Sequence, residues 1–316
     1  MAYGRLFALL LAVIAVLAVG CGDDEDEGGS SGGSGTQSAN EQPGEGKPGV
    51  TIGTKDFTEE FVLGNLYAQA LEAKGYNVTL KENIGSTEII DKALTSNEID
   101  GYPEYTGVSL SVVAKNDILA ESPEQTAELV KEFYEGRGQV VSEATPFQDT
   151  DAIATTKEFA TENGLTSVAD LKKLDSFTLG ARPEFRNRFN GLKGMRQVYG
   201  IETAKFKQLA LGLQYPSLDK GDVDTANVFS TDAQLASGKY TVLEDPEGVF
   251  GFQNVYFVIN KEKYDALGGQ EFMDVVNEVN ALLTEEAMTS MNAAVDIDKK
   301  EPADVAQAFL EANQLL

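Results

Sequence analysis

Two aromatic residues, each followed by a hydroxyl residue, stand at corresponding places in two similar stretches of the chain. The pairs are Tyr105-Thr106 and Phe229-Ser230. Each pair ends a short segment that is predicted to be a β-strand. Because open α/β sheets bind ligands at the carboxyl ends of their strands, both rings are candidates for contact with a ligand.

The residues before the two pairs follow one pattern. Leu94–Asp100 resembles Leu218–Asp224 in having a helix end, then a turn at Asn97 or Gly221, then a β-branched residue and an acid that enter a strand. This repeat predicts two lobes that are built alike. Two unrelated turns are the alternative interpretation.

Several kinds of chemistry are excluded by the composition. The chain has no histidine and a single cysteine, so it lacks the commonest general base and cannot form an internal disulfide or a thiolate metal site. An enzyme would have to use acids such as Glu104 and Asp151, and nothing in the sequence places these two within reach of each other. We expect a binding protein without catalysis, metal or cofactor; a ligand sensor or adhesion module is the alternative.

The single cysteine, Cys21, ends an apolar run, Leu6–Gly20, that follows the positive charge of Arg5. An acidic stretch rich in Gly and Ser comes next. This layout is typical of a secretory signal, residues 1–21, that ends at a lipid-modified cysteine. Ala18 departs from the leucine that is usual three residues before such a cysteine, and an unmodified thiol is the alternative. As a helix the run would reach roughly 22 Å, too short to span a hydrocarbon core of about 30 Å.

The net charge of -26 at pH 7 argues against nucleic acid as a partner, since its phosphates would be repelled. Residues 22–49 are rich in Gly, Ser and acids and are predicted to form a flexible tether. Together with the lipid site, the tether predicts an extracytoplasmic protein anchored to the outer face of the cell membrane. The remaining residues, 50–316, are numerous enough for two lobes.

From Val50 onward, β-type segments alternate with amphipathic helical segments, which favours an α/β fold. The predicted strands include residues 50–55, 77–84, 151–155, 177–181, 224–229, 240–243 and 255–259. The predicted helices include residues 58–74, 270–283, 285–294 and 302–314, with further helix starts at Ser86-Thr87 and Ser122-Pro123.

Several motifs, in order along residues 50–316, resemble the osmoprotectant-binding family of ABC importers. This family contains the substrate-binding subunits for glycine betaine, choline, carnitine and related quaternary amines. The motifs are Ile52–Glu59, Glu98–Gly107, Pro183–Phe185 with Arg188 and Gly191, Gly221–Asp224, Phe229–Asp232 and Leu243–Asp245.

The resemblance implies a two-lobed periplasmic-binding-protein fold of type II, with two crossover strands as a hinge. Lobe 1 would comprise residues 50–150 and 251–316, and lobe 2 residues 151–250. The ligand would bind in the cleft between the lobes, and the closed form would dock on a permease driven by a cytoplasmic ATPase. A monomer without catalytic activity is implied.

The resemblance also implies how such a cleft holds its ligand. A quaternary ammonium group has no N–H donors, so aromatic rings hold it through cation–π contacts of about 0.5–2 kcal/mol each. Tyr105 and Phe229 fall on two positions of the family's aromatic box. Arg188 falls on the arginine that pairs with the ligand carboxylate. Lys55 is a candidate for the same role or for a surface salt bridge, and Thr106 is a further candidate contact.

Three positions depart from the family pattern. Val108 stands where a threonine often touches the ligand, and Asp151 and Gln253 stand at the third and fourth box positions. Because Asp151 could pair with a cation directly, we hypothesise a ligand other than plain glycine betaine. Candidates are a betaine with a polar side chain, choline, or a cationic amino acid or guanidino compound, taken up or sensed.

Some neighbouring polar residues have simpler interpretations. Arg182, close to Arg188 in sequence, is expected to be a surface charge. Thr231-Asp232 is expected to cap the helix that follows Phe229. Capping also explains Ser86-Thr87, although the free N–H groups of a helix start would suit a ligand carboxylate.

Overall fold

The computed structural model describes residues 42–316. The predicted signal, the lipidation site at Cys21 and the first part of the predicted tether lie outside these residues. Within the described part, no helix is long and apolar enough to cross a membrane.

Contacts with the folded core begin inside the segment predicted as tether. Gly44 is buried, and its N–H donates to the carbonyl of Lys74 at 2.9 Å. The side chain of Gln42 donates to the carbonyl of Ala73. The residues from 42 to 49 therefore lie against the end of the first helix.

The first of two five-stranded sheets has the order β2-β1-β3-β10-β4. β1 is parallel to β2 and β3, and β10 is antiparallel to β3 and β4. Its strands are β1 (Val50–Gly53), β2 (Val78–Lys81), β3 (Gly101–Tyr105), β4 (Gln139–Val141) and β10 (Val255–Asn260).

The second sheet has the corresponding order β7-β6-β8-β5-β9. β6 is parallel to β7 and β8, and β5 is antiparallel to β8 and β9. Its strands are β5 (Asp151–Thr156), β6 (Phe177–Ala181), β7 (Ala204–Gln208), β8 (Thr225–Phe229) and β9 (Tyr240–Leu243). The matching orders confirm the prediction of two lobes that are built alike.

Helices flank both sheets. Those before β5 are α1 (Thr58–Ala73), α2 (Thr87–Thr95), α3 (Thr106–Val108), which continues as a π-helical turn, and α4 (Pro123–Gly136). Those between β5 and β10 are α5 (Lys157–Asn163), α6 (Leu192–Tyr199) and α7 (Gln214–Asp219). Those after β10 are α8 (Lys261–Ala266), α9 (Gln270–Leu282), α10 (Glu285–Asp296) and α11 (Pro302–Ala312).

Local sequence accounts for several helix ends. The predicted cap of α4 is present, since the Ser122 hydroxyl accepts the N–H of Gln125 and Pro123 occupies the first turn. α1 ends where Gly75 takes a φ of 84°, which glycine adopts without steric cost.

The repeated acids join strands in the same way in both lobes. The Asp100 carboxylate accepts the N–H of Thr51 at 2.7 Å, and the Asp224 carboxylate accepts the N–H of Thr178 at 2.7 Å. In return, the backbone N–H of each aspartate donates to the carbonyl of the same threonine. Each acid therefore ties the strand that follows it to its parallel neighbour, β1 or β6.

The chain crosses between the sheets twice, in residues 142–150 and 244–254. The two crossings run side by side, because Thr145 donates to the Val255 carbonyl at 2.7 Å and Asp149 donates to the Gln253 carbonyl at 3.1 Å. These paired segments form the hinge of the two-lobed fold. Each sheet has its own buried apolar clusters, so each lobe has a separate core.

Candidate functional site

A narrow pocket, which we call the cleft, lies between the two sheets. Residues that follow β1 and β3 form one side, and residues that end β6 and β8 form the other. Seven of the eight predicted ligand-binding residues line it: Lys55, Tyr105, Val108, Asp151, Arg188, Phe229 and Gln253. The cleft therefore lies where the strand-end argument placed it.

Three aromatic rings form a continuous group across the cleft. Phe57 stacks on Phe229 with ring centres 5.3 Å apart and planes 16° apart, and its centre is 6.1 Å from that of Tyr105. Phe57 is not among the ligand-binding residues predicted from the sequence. Its position soon after the carboxyl end of β1 is the same signal that identified the other two rings.

Two cationic side chains of the protein lie over these rings. Lys55 Nζ is 4.3 Å from the centre of Tyr105, and the Arg182 guanidinium carbon is 5.0 Å from the centre of Phe229. Both distances are typical of cation–π contacts. The rings predicted to hold a ligand cation thus already hold cations of the protein.

Lys55 is buried and is not a surface salt-bridge partner. Its ammonium group contacts Glu104 and lies 3.4 Å from Glu60. Burial raises the pKa of Glu60 to about 8, and the nearby Lys55 charge offsets this only in part. The ammonium group of Lys55 is therefore the shared cationic partner of two buried acids, Glu60 and Glu104.

Asp151 lies in the cleft wall with its charge already paired. Arg182 binds both of its oxygens, at 2.7 and 2.9 Å, and the amide of Asn227 donates to it at 2.8 Å. Direct pairing of Asp151 with a ligand cation, as hypothesised, therefore competes with a bidentate ion pair. The expectation for Arg182 is wrong: this residue is only 6% exposed because it fills the space between Asp151 and Phe229.

Arg188 joins the two lobes. Its Nε and Nη2 donate to the carboxylate of Glu88, at the start of α2, at 3.1 and 2.8 Å. Burial alone would raise the pKa of Glu88, but the hydrogen bonds and charge of Arg188 lower it to about 2. The predicted carboxylate-binding arginine thus lies in the cleft and holds a carboxylate of the protein.

Ser86 and Thr87, at the start of α2, also line the cleft. The side-chain cap expected at this helix start is wrong, since the Ser86 hydroxyl donates to Glu88 Oε2 at 2.7 Å and accepts no backbone N–H of the helix. The N–H groups of the first turn of a helix have no partners within the helix. They are therefore suited to an anion beside Arg188.

Gln253 and Val108 form a structural contact in the cleft wall. Gln253 Oε1 accepts the N–H of Val108 at 3.0 Å, and its Nε2 donates to the carbonyl of Phe250 at 2.7 Å. The amide thus connects a hinge segment to α3. Thr106 is not among the residues that line the cleft, and its hydroxyl donates to the Phe252 carbonyl at 2.9 Å. Its role as a ligand contact stays a prediction.

A second group of polar side chains lies behind the rings, where both lobes and the hinge meet. Thr231 does not cap the following helical turn as expected; its hydroxyl contacts Glu59 at 2.7 Å and Asp149 at 2.8 Å. Glu59 also accepts the Tyr105 hydroxyl at 2.8 Å and the Asn292 amide at 2.9 Å. We call this group of residues 59, 149, 231 and 292 the latch. The sequence analysis missed it.

Burial is the main cause that raises the pKa of both latch acids, Glu59 and Asp149. The neighbouring Asp232 adds a repulsive charge, and burial raises its own pKa to about 6. Among residues 42–316, no group of three or more acids or cysteines is arranged to hold a metal ion.

Comparison with known proteins gives consistent matches. Residues 48–312 match the family model described as the substrate-binding domain of ABC-type glycine betaine transport systems. The chain is 32% identical over 279 residues to a glycine-betaine-binding protein of Pseudomonas aeruginosa, covering 84% of this chain and 88% of that one.

Two further matches add detail. The chain is 28% identical to the ergothioneine transport permease/ergothioneine binding protein EgtU of Helicobacter pylori, covering 84% of this chain and 48% of that longer protein. A crystal structure titled as a glycine betaine/carnitine/choline ABC transporter matches with a TM-score of 0.68 at 25% identity, covering 84% of this chain and 99% of the other. These matches support the type II two-lobed fold.

Proposed function

The chain belongs to the family of substrate-binding domains of ABC-type glycine betaine transport systems, and we propose that its cleft captures a zwitterionic quaternary amine for delivery to a permease. The proposal rests on the three aromatic rings in the cleft, which have Arg188 and the first-turn N–H groups of α2 nearby. Capture and release of a solute need no catalytic group, and we propose that the chain has none.

The two ends of a zwitterion have separate partners in the cleft. Its cationic head would meet the rings of Phe57, Tyr105 and Phe229, which attract a cation that lacks N–H donors. Its carboxylate would meet Arg188 and the start of α2, where N–H groups and the helix dipole favour an anion. To reach them, the ligand carboxylate would replace Glu88 as the partner of Arg188.

Arg188 and the start of α2 favour a ligand that carries a negative group. Lys55 and Arg182 already lie over two of the rings, and their charges are paired with buried carboxylates. A ligand carboxylate therefore gains the charge of Arg188 as a partner, which a ligand with only a positive charge does not. We therefore place betaines ahead of choline, which has no carboxylate.

A second candidate ligand class is a betaine with a larger polar side chain, or a cationic amino acid or guanidino compound. The observation that favours it is the paired Asp151, which adds polar atoms where a box ring is expected. The ergothioneine-binding relative supports a ligand range wider than glycine betaine within this family.

Calorimetric titration of the full chain in detergent would test the proposal. The panel would contain glycine betaine, carnitine, choline, ergothioneine and arginine. We expect the betaines to bind more tightly than choline. Binding of choline with an affinity equal to theirs would contradict the role given to Arg188, and failure of all quaternary amines would contradict the ligand class.

Variants at Phe57 would separate the cation–π contribution of its ring to binding from the contribution of its volume. In Phe57→Leu we expect the best-bound amine to bind about twofold to thirtyfold more weakly, corresponding to the loss of one cation–π contact of about 0.5–2 kcal/mol. Phe57→Tyr keeps the ring and should retain most of the affinity. Equal losses in both variants would contradict a cation–π role.

We also propose the setting in which the protein works. Substrate-binding domains of importers act outside the cytoplasm, and the signal pattern that ends at Cys21 supports a lipid anchor there. We propose a monomer whose lobe 1 spans residues 50–150 and 251–316 and whose lobe 2 spans residues 151–250. Mass spectrometry of the membrane-extracted chain would detect acylation of Cys21.

A further inference from the structure

The latch has more hydrogen-bond acceptors than donors at its centre. The Thr231 hydroxyl has one hydrogen, yet its oxygen lies 2.7 Å from Glu59 Oε2 and 2.8 Å from Asp149 Oδ1. If both carboxylates were ionised, one of these short oxygen–oxygen contacts would have no hydrogen between its atoms. Such a contact between buried oxygens is repulsive, so the arrangement requires one more proton.

We propose that the closed latch holds a proton between Glu59 and Asp149, so that closing the lobes over a ligand takes up one proton from solution. This inference extends the proposed function, because lobe closure is the step that captures the ligand. Glu59 acts as a positioning residue, since it also fixes the hydroxyl of Tyr105.

Either acid can carry the proton. With the proton on Glu59, Glu59 donates to Thr231 and Thr231 donates to Asp149, whose Oδ1 also accepts the backbone N–H of Thr231 at 3.2 Å. With the proton on Asp149, the order of donors is reversed, and the ionised Glu59 accepts from Thr231, Tyr105 and Asn292. In both arrangements every short contact of the Thr231 hydroxyl contains one hydrogen.

The latch spans the parts of the molecule that must meet on closure. Glu59 belongs to α1 and Asn292 to α10, which flank the first sheet, whereas Thr231 follows β8 of the second sheet. Asp149 lies in the hinge. All four are at most 5% exposed in this conformation. When the lobes separate, Thr231 leaves Glu59, and water then replaces it as the partner of the carboxylate.

The surrounding charges favour a neutral rather than an ionised acid at this place. The neighbouring ionisable groups, taken from the elements that pack around the latch, are Lys55, Asp56, Glu60, Tyr67, Tyr105, Arg182, Tyr215, Asp232 and Asp296. Lys55 is already paired with Glu60 and Glu104. Arg182 is already paired with Asp151, and Lys299, which lies beside the same space, donates to the carbonyl of Asp296. The raised pKa of both latch acids has the same physical origin.

The sign of the pH effect follows from linkage. An acid whose pKa is higher in the closed state than in the open state favours closure at low pH. Above the ordinary glutamate pKa of about 4.3, closure must take a proton from solution, and the apparent ligand affinity should fall by up to about tenfold per pH unit. The fall ends once the pH passes the pKa of the closed latch.

Calorimetry with glycine betaine as the probe would measure how many protons the protein takes up on binding. Binding enthalpies of the full chain in buffers with different ionisation enthalpies give the number of protons taken up on binding. Near neutral pH we expect uptake approaching one proton in the wild type and a value close to zero in Glu59→Gln, whose amide supplies a hydrogen permanently. Equal uptake in wild type and Glu59→Gln, or no uptake in the wild type, would overturn the proposal.

Two further variants keep the test decisive. Asp149→Asn should also remove the uptake if Glu59→Gln fails to fold. Glu124→Gln makes the same chemical change at an exposed acid of α4 and should leave both affinity and proton uptake unchanged.

A ligand-free measurement separates failure of this inference from failure of the proposed ligand class. Small-angle X-ray scattering of the chain without ligand should show a smaller radius of gyration at pH 5 than at pH 8. The difference should be absent in Glu59→Gln. If glycine betaine does not bind but this pH response is present, the proposed ligand class is wrong and the proton-uptake proposal is supported. Identical pH responses in wild type and Glu59→Gln would overturn the proton-uptake proposal.

Discussion

At the scale of single residues, the wall of the cleft is built from cationic side chains that lie over aromatic rings and from acids that pair with those cations. Lys55 and Arg182 each contact an aromatic face and a buried carboxylate. The arrangement fixes the positions of the rings, and Lys55 Nζ also lies 5.8 Å from the centre of the Phe57 ring. A ligand therefore meets a surface whose charge is already balanced.

At the residue level, the sequence indicates which side chains line the cleft but not what those side chains contact. Tyr105 and Phe229 line the cleft, as their strand-end positions indicated, and a residue that follows a strand end can be identified in this way from sequence. Arg182 comes directly after β6, so the same rule applied to it. Its burial could not be deduced, because that depends on Asp151, which is distant in sequence and lies on a different strand.

The ion pair of Arg182 and Asp151 predicts that removing one of the two charges lowers stability more than removing both. Arg182→Met leaves the Asp151 carboxylate buried without its bidentate partner and should lower the free energy of unfolding by about 3–5 kcal/mol. The double variant Arg182→Met/Asp151→Leu removes both charges and should cost clearly less than this single variant.

Urea unfolding followed by circular dichroism would measure the whole cycle. If the double variant cost as much as the two single variants added together, the pair would not behave as a buried ion pair. Arg186→Met, at a more exposed arginine of the same segment, provides the control.

At the scale of elements, the repeat of turn, acid and strand is the most informative feature of the sequence. Asn97 and Gly221 both take left-handed backbone angles, with φ of 58° and 69°, before β3 and β8. The short strands β4 and β7 escaped prediction. Both are at sheet edges and include exposed or half-buried positions, so their apolar patterns are weak.

The turn before β8 predicts an effect of backbone conformation alone. Gly221→Ala should lower the free energy of unfolding by about 1–2 kcal/mol, because a Cβ atom disfavours a left-handed residue. No heavy atom of the described residues lies within 4 Å of the added methyl group, so crowding does not contribute.

Gly136→Ala is the matched control for this measurement. The space beside its Cβ is also open, but the residue is the last of α4 and is helical, so alanine should be neutral or stabilising by up to about 1 kcal/mol. Thermal unfolding of both variants would check the opposite signs. Equal effects would contradict the conformational explanation.

At the scale of the whole molecule, contacts between the lobes hold the closed form. Besides the latch, these include the ion pairs of Arg188 with Glu88 and of Lys193 with Asp117, and the stacked rings of Phe57 and Phe229. The two-lobed fold was predictable because its motifs occur in order along the chain. The cross-lobe contacts were not, since each joins residues that no local pattern relates.

The Arg188–Glu88 pair predicts a modest effect on closure. The Glu88 pKa falls from 4.5 to about 2 in this conformation, so the stabilisation is present above about pH 4.5 and is lost as the pH falls through about 2. Because Glu88 is partly exposed, Glu88→Gln should weaken closure by at most about 1 kcal/mol.

The radius of gyration of ligand-free Glu88→Gln, measured by scattering at neutral pH, should be larger than that of the wild type. High salt should reduce the difference by screening the pair in the wild type. A difference that persists unchanged in high salt would contradict an electrostatic origin.

The two crossings of the hinge have a mechanical consequence. Residues at the start of the described part lie against the end of α1, and the described residues that follow β10, including α11, also belong to the first lobe. A force that reaches the described residues through Gln42 or through α11 therefore acts on the first lobe. The backbone transmits that force to the second lobe through the two crossings alone, so the hinge segments bear it together.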